Sequence, residues 1–374
     1  MEMKRLNRRE FLGAAVAAGV GGRLSTAAAD MGGSRFVATV ADGTKPVPPV
    51  RATLPVPDGA RFAGMAGAWA AMYTPFVRDV RLNAPVNYDI IPKMVEYFIA
   101  KGLKGLYLTG STGEGFLLSH EERVRIYKTV VEAAKGRLKV IAHIGCFTTA
   151  DAVKLAKAAA DAGVDWLSSV APVYFGQSFK AAYDHYRIVS EATDLPFLVY
   201  SVGAKIAPND AFEIMKLKNI HGMKYTGRDY YDFGVMCRKL EECGKSAVFF
   251  AGADEQVLNA YATGRFSGCI GTTDNMIPAL FVKICEMAAA NDFAEAAKHQ
   301  EKVCRFIDVL SSLGNSSLWK SAMRYIGLDC GYCRRPKGVP YTEAEYEALC
   351  VKFATLGDDI IRKDDFGLCS GLMA

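Results

Sequence analysis

The sequence predicts an α/β fold, a (β/α)8 TIM barrel with additional C-terminal helices, on three observations. From residue 66 onward, short β-rich runs alternate with longer amphipathic stretches, which is the pattern of parallel βαβ units. Eight such runs occur over about 210 residues, within the span that one closed barrel uses. Polar signatures recur at the ends of many of these runs, as a closed ring requires. No GxGxxG follows the first of them, which disfavours an open doubly wound sheet.

The strand-like runs fall at 70–76, 105–110, 139–145, 166–171, 196–202, 222–226, 247–253 and 268–272. Between them, 121–134 sets Val124, Ile126, Tyr127, Val130 and Val131 against charged Glu122, Arg123, Arg125 and Lys128, the spacing of a helix with one buried face. The stretch 150–162 has a similar face. Residues 66–275 are thus assigned to the barrel. Helices at 278–290, 293–313, 316–326 and 342–355 form a C-terminal extension over 276–356. Residues 357–374, Asp/Lys-rich and Gly-containing, are expected to be a poorly ordered tail.

Residues 1–29 read as an address. Arg8-Arg9-Glu10-Phe11-Leu12 precedes a Gly/Ala-rich run from Gly13 to Gly22, too short to span a bilayer, and Ala27-Ala28-Ala29 supplies a small-residue cleavage site. This is the pattern of a twin-arginine export signal and implies a periplasmic mature protein with no membrane anchor after processing. Residues 30–65, with Pro46, Pro48, Pro49, Pro55 and Pro57, are expected to be a semi-extended spacer with no core of its own.

Composition excludes several classes. With 374 residues, 51% hydrophobic and 23% charged, the chain has ample core for a globular protein. Its 45 basic and 40 acidic residues give a net charge of +5, part of it in Lys4, Arg5, Arg8 and Arg9, so no clustered basic face points to nucleic acid. The ten cysteines are scattered and read mostly as buried thiols. Cys330-Gly-Tyr-Cys333 lies in a late loop, away from the start of any redox-type βαβ unit. His120, His143, His185, His221 and His299 show no metal-ligand spacing, and neither metal nor cofactor is expected.

In such a barrel, reactive groups belong at the C-terminal strand ends. The second strand ends in Gly110-Ser111-Thr112-Gly113-Glu114, whose glycines, N–H groups and hydroxyls suit a carboxylate; the same residues also suit a plain capped turn. The fifth run carries Tyr200, and the sixth carries Lys224 after apolar Met223. A lysine lining a barrel is costly unless it has a task or a partner. As a nucleophile, a lysine amine needs surroundings that favour its neutral form by roughly 4 to 5 kcal/mol, which burial and a nearby cation such as Arg228 can supply. The alternative is a buried ion pair with a carboxylate such as Asp229.

Taken together, Gly110 to Glu114, Lys139-Val-Ile-Ala-His-Ile-Gly-Cys146, Tyr200, Lys224-Tyr-Thr226, Gly252-Ala-Asp-Glu255 and Cys333-Arg-Arg-Pro336 resemble the N-acetylneuraminate lyase / dihydrodipicolinate synthase family of pyruvate-dependent class I aldolases, from about Gly67 to Ala348. The resemblance implies a Schiff-base lyase with Lys224 as nucleophile, Tyr200 as proton-transfer residue and Ser111 with Thr112 as carboxylate binders. It also implies that Tyr174 is lent across a subunit interface of a dimer or tetramer. Asp254 and Glu255 match a pair that binds sugar hydroxyls, Thr226 and Gly252 match further sugar contacts, and the Gly-Ser-Thr loop is the lyase-like form. The expected substrate is a small keto acid or sugar acid of the N-acetylneuraminate type. Three positions depart from the pattern: Tyr200-Ser-Val-Gly203 stands for Tyr-Asn-hydrophobic-Pro, Thr272 for a serine, and Lys205 where synthases carry an arginine for a second carboxylate. A synthase-type condensation and a catalytically silent exported binding barrel are the alternatives.

Overall fold

In the computed structural model, which describes residues 56–172, 178–201 and 207–370, eight parallel strands pair in sequence order. They are β1 (Gly67–Ala71), β2 (Gly105–Leu108), β3 (Lys139–His143), β4 (Trp166–Ser169), β5 (Phe197–Ser201), β6 (Ile220–Tyr225), β7 (Val248–Ala251) and β8 (Gly268–Gly271). β8 pairs back with β1, so the sheet closes as a barrel and leaves no strand edge open. One helix follows each strand: α1 (Ile91–Ala100), α2 (His120–Ala134), α3 (Thr149–Asp161), α4 (Phe179–Ser190), α5 (Pro208–Met215), α6 (Tyr230–Glu242), α7 (Val257–Ala262) and α8 (Pro278–Ala289). Beyond them come α9 (Phe293–Ser311), α10 (Ser316–Lys320), α11 (Ala322–Tyr325), α12 (Glu343–Leu356) and α13 (Asp365–Ser370). The chain is a TIM barrel with C-terminal helices.

Alternation along each strand sorts the core into two layers. Trp69, Tyr107, Ile141, Trp166, Leu198, Tyr200, Phe250 and Ile270 fill the barrel interior. Leu106, Val140, Leu167, Val199, Met223 and Phe249 pack outward in the larger cluster beneath the helices. Because Met223 faces the helices, Lys224 must face the interior, and register sets it beside Tyr200 on the neighbouring strand. Local signals fix the helix starts: Ser119 and Glu122 form a capping box before α2, and Thr148 caps α3.

Four boundaries differ from expectation. The first strand covers Gly67–Ala71 rather than 70–76, because Tyr73 N donates to Asn275 Oδ1 and Phe76 N to the Cys330 carbonyl, which draws this segment out of the ring. The helix expected at 316–326 is interrupted at Ser321. The barrel core begins before residue 66: Phe62 and Met65, assigned to the spacer, are buried in the interior cluster, and Trp166 Nε1 donates to the Arg61 carbonyl at 3.3 Å. The tail expected to be poorly ordered docks instead. Ile360, Ile361 and Cys369 are buried, and Asp365 accepts from Tyr97 Oη at 3.0 Å and pairs with Lys101 at 2.6 Å. Its charged composition concealed three apolar side chains. The twin-arginine segment and most of the Pro-rich stretch lie outside the described residues. Among the described residues no helix is long and apolar enough to cross a membrane.

Candidate active site

Lys224 is 4% exposed, and its Nζ lies 4.6 Å from the ring centroid of Tyr200 and 4.8 Å from that of Tyr107. The charged neighbours expected for it have other tasks. Arg228 turns to the rim and pairs with Glu255 Oε1 at 2.6 Å, and the Asp229 carboxylate caps α6 by accepting from Asp232 N at 3.0 Å. Gly252 makes room for the lysine stem. A Cβ there would stand 3.0 Å from Lys224 Cε and 2.4 Å from Thr226 Cγ2, closer than packed atoms tolerate.

Tyr200 Oη is 3.1 Å from Ser111 Oγ, so the phenol and the hydroxyl of the 110–114 loop share a hydrogen bond. Below them, Tyr107 Oη bonds Ser168 Oγ at 2.9 Å, and burial pushes this phenol well above its ordinary range, which keeps it protonated. His143 packs edge-on against Tyr200, with ring centroids 6.1 Å apart. Its Nδ1 faces the Thr109 carbonyl at 3.0 Å and its Nε2 accepts from Val170 N at 3.3 Å. Burial, assisted by the Arg123 charge, lowers its pKa to about 3. The imidazole is therefore neutral, with the proton on Nδ1, and acts as a fixed wall behind Tyr200.

The 110–114 loop is braced from behind by the C-terminal extension. Thr109 enters it at φ 51°, a left-handed backbone costly for a β-branched residue, and its Oγ1 is held by Tyr127 Oη at 2.9 Å and the His143 carbonyl at 3.0 Å. Glu114, which ends the motif, is not a ligand for substrate. It is fully buried, paired with Lys320 Nζ at 3.0 Å, and accepts from Arg334 N at 2.8 Å. Lys337 Nζ donates to the carbonyls of Ser111 at 2.6 Å and Thr112 at 3.0 Å. Lys320, Lys337 and Tyr107 were not singled out from the sequence. Alternation along β2 could have found Tyr107, but no local pattern links the two lysines to a loop more than two hundred residues earlier.

Thr112 and Thr272 meet through their hydroxyls at 2.6 Å, and Thr226 Oγ1 donates to the Ser201 carbonyl. Asp254 Oδ2 accepts from Thr273 N at 2.8 Å and Thr273 Oγ1 at 2.7 Å. Burial raises its pKa, while Thr273 and the Lys224 charge act in the opposite direction. Thus Lys224, Tyr200, Ser111, Gly252 and Thr226 converge, Asp254 stands behind Gly271, and Glu255 is turned to Arg228. Tyr174 and Lys205 lie outside the described residues. Cys330 and Cys333 are separate, buried free thiols whose pKa values burial pushes up to about 12 and about 11. Among the described residues no group of three His, Cys, Asp or Glu side chains could hold a metal ion.

A buried lysine against a tyrosine at paired strand positions is a constellation that can form an imine with a keto acid and move a proton beside it. The profile of the dihydrodipicolinate synthetase family matches residues 64–354. The chain belongs to this family. It is a lyase of the class I aldolase type. The N-acetylneuraminate lyase of Rhizobium meliloti (strain 1021) is 33% identical over 275 residues, covering 73% of this chain and 89% of that protein. The structure of Proteus mirabilis N-acetylneuraminate lyase superposes with a TM-score of 0.71 at 29% identity, covering 78% of this chain and 98% of that one. A dihydrodipicolinate synthase structure gives a TM-score of 0.69 at 26% identity, covering 78% and 99%.

Proposed function

We propose that this family member cleaves a 2-keto-3-deoxy sugar acid of the N-acetylneuraminate type to pyruvate and an aldehyde, through an imine on Lys224. The observation that carries this reading is the buried Lys224 amine set against the Tyr200 and Tyr107 rings, with Tyr200 Oη hydrogen-bonded to Ser111. The lone pair of Nζ attacks the keto carbon and the keto oxygen leaves as water. The protonated imine then accepts the electrons of the adjacent carbon–carbon bond as Tyr200 relays the proton of the hydroxyl that becomes the aldehyde, accepting it while passing its own phenolic proton to the substrate carboxylate or to solvent. Protonation of the resulting enamine and hydrolysis release pyruvate and regenerate the amine. Ser111 and Thr112 hold the substrate carboxylate with neutral donors.

Asp254 supports a polyhydroxylated substrate, because its Oδ1, which Thr273 does not engage, can accept from a hydroxyl, and relatives named N-acetylneuraminate lyase point the same way. By the family pattern, Tyr174 is the tyrosine lent by a neighbouring copy in a dimer or tetramer, and Lys205 stands at the sequence position where synthases carry an arginine for a second carboxylate. Export through the Arg8-Arg9 signal fits catabolism of scavenged sugar acids better than a synthase, whose aldehyde partner is made in the cytosol.

The test is a panel of 2-keto acids screened for pyruvate release, with borohydride trapping alongside. Pyruvate from N-acetylneuraminate, and a reduced adduct on the Lys224 peptide that vanishes in Lys224→Ala, are expected. Turnover only with aspartate semialdehyde plus pyruvate would replace the substrate assignment with the condensation reading. An untrapped lysine would leave only a binding barrel.

A further inference from the structure

Gly271, the last residue of β8, lies where two carboxylates meet. A Cβ at this position would stand 2.0 Å from Asp254 Oδ1 and 2.3 Å from Asp274 Oδ2, so both oxygens occupy one small space. Asp274 is fully buried. Its Oδ2 has no hydrogen-bond partner among the described residues, and its Oδ1 has the Cys269 thiol at 3.7 Å. Asp254, by contrast, takes two hydrogen bonds from Thr273. Two ionised carboxylates converging in a buried space repel, and the one without a strong donor bears the desolvation penalty as well. A proton between them removes the repulsion and supplies the missing partner.

We propose that Asp254 and Asp274 share one proton, carried on Asp274 and directed toward Asp254 Oδ1, which makes Asp274 a positioning residue for the carboxylate that the proposed reading assigns to the sugar hydroxyls. Burial first, and then the Asp254 charge, hold Asp274 well above the ordinary carboxylate range. The groups that face it are Asp254 from the segment after β7, Lys224 from β6, Cys269 from β8, Cys285 from α8 and Tyr261 from α7. Lys224 is the one cation among these groups, and its pull is the weakest of the influences on Asp274. With one proton the pair carries a single negative charge beside the site of an anionic substrate; with none it would carry two.

The kinetic part of this inference rests on the proposed sugar-acid reading, and the protonation part does not. Difference infrared spectra of the full chain, wild type against Asp274→Asn near neutral pH, are expected to show the carbonyl band of one protonated carboxylic acid in the wild type alone. A pH-difference spectrum of the wild type gives the same readout if the variant does not fold. A carboxyl whose folded pKa is raised loses its stability contribution as pH rises from the ordinary aspartate value, about 3.9, to its own folded value. The wild-type Tm should therefore fall relative to Asp274→Asn across that window. KM for the cleaved sugar acid should rise several-fold at alkaline pH in the wild type and stay level in the variant. No acid band and parallel Tm curves would overturn the shared proton. A band with identical KM profiles would overturn the positioning role, and absence of any sugar-acid turnover would count against the substrate reading alone.

Discussion

The barrel mouth holds two regions, each built around a buried lysine, and their surroundings differ. Lys320, at the end of α10, is fully buried and fully paired: Glu114 at 3.0 Å, the Tyr332 carbonyl at 3.3 Å and the Phe76 ring at 4.2 Å. Lys224, on β6, has two aromatic faces, and the carboxylates that feel its charge, Asp254 and Asp274, are turned to other partners or to each other. A buried ammonium with a complete set of acceptors is fixed as a cation and serves as a brace. An amine in an aromatic cradle keeps its lone pair available when neutral and suits covalent chemistry.

The largest effect that would break this contrast is on Lys224→Ala. Turnover should fall by about four orders of magnitude or more, with loss of borohydride trapping, because the covalent step has no substitute. Its Tm should hold or rise, since an amine without a carboxylate partner is removed from the interior. Lys320→Met should do the reverse, costing roughly 3 to 5 kcal/mol in urea unfolding because Glu114 is left buried and unpaired. If that variant were as stable as the wild type, the brace assignment would be lost.

Tyr200→Phe tests the chemical side next. Imine trapping should survive while kcat falls by about 10² to 10⁴, and equal kcat would remove the phenol from proton transfer. Lys337→Met sharpens the boundary between the regions: by freeing the Ser111 and Thr112 carbonyls it should raise KM for pyruvate-type ligands severalfold more than it lowers kcat. A matching fall in kcat with unchanged KM would argue against a binding-loop role. The smallest effect is one of pH. His143 has its pKa depressed to about 3, so its neutral form contributes stability above the ordinary histidine value, and that contribution is lost as pH falls from about 6.5 toward 3. His143→Gln should flatten the stability curve over this window, and an unchanged slope would place its origin elsewhere.

Strand alternation, helix caps and the Gly-Ser-Thr-Gly-Glu, Tyr200 and Lys224 signatures were legible in the chain because they depend on neighbours two to four residues apart. The barrel, the inward direction of Lys224 and the meeting of Tyr200 with Ser111 follow from that local order once the strands pair in sequence. The fate of Glu114 was not legible. Its partners, Lys320 and Arg334, lie more than two hundred residues away, and a carboxylate in a glycine loop looks the same whether it faces a ligand or a buried ammonium. Arg228, expected as a cation beside Lys224, was likewise not legible, because only the fold turned it to Glu255.

By itself the sequence determined the periodicities, and with them the eight strands, the helices between them and the face each side chain takes. Tertiary structure alone decided which charges meet. Electrostatic partners are chosen by distances of a few ångström and by exclusion of water, and neither quantity exists until segments distant in the chain meet in the folded barrel. The same holds for Asp254 and Asp274, which Gly271 brings together because it has no side chain to keep them apart.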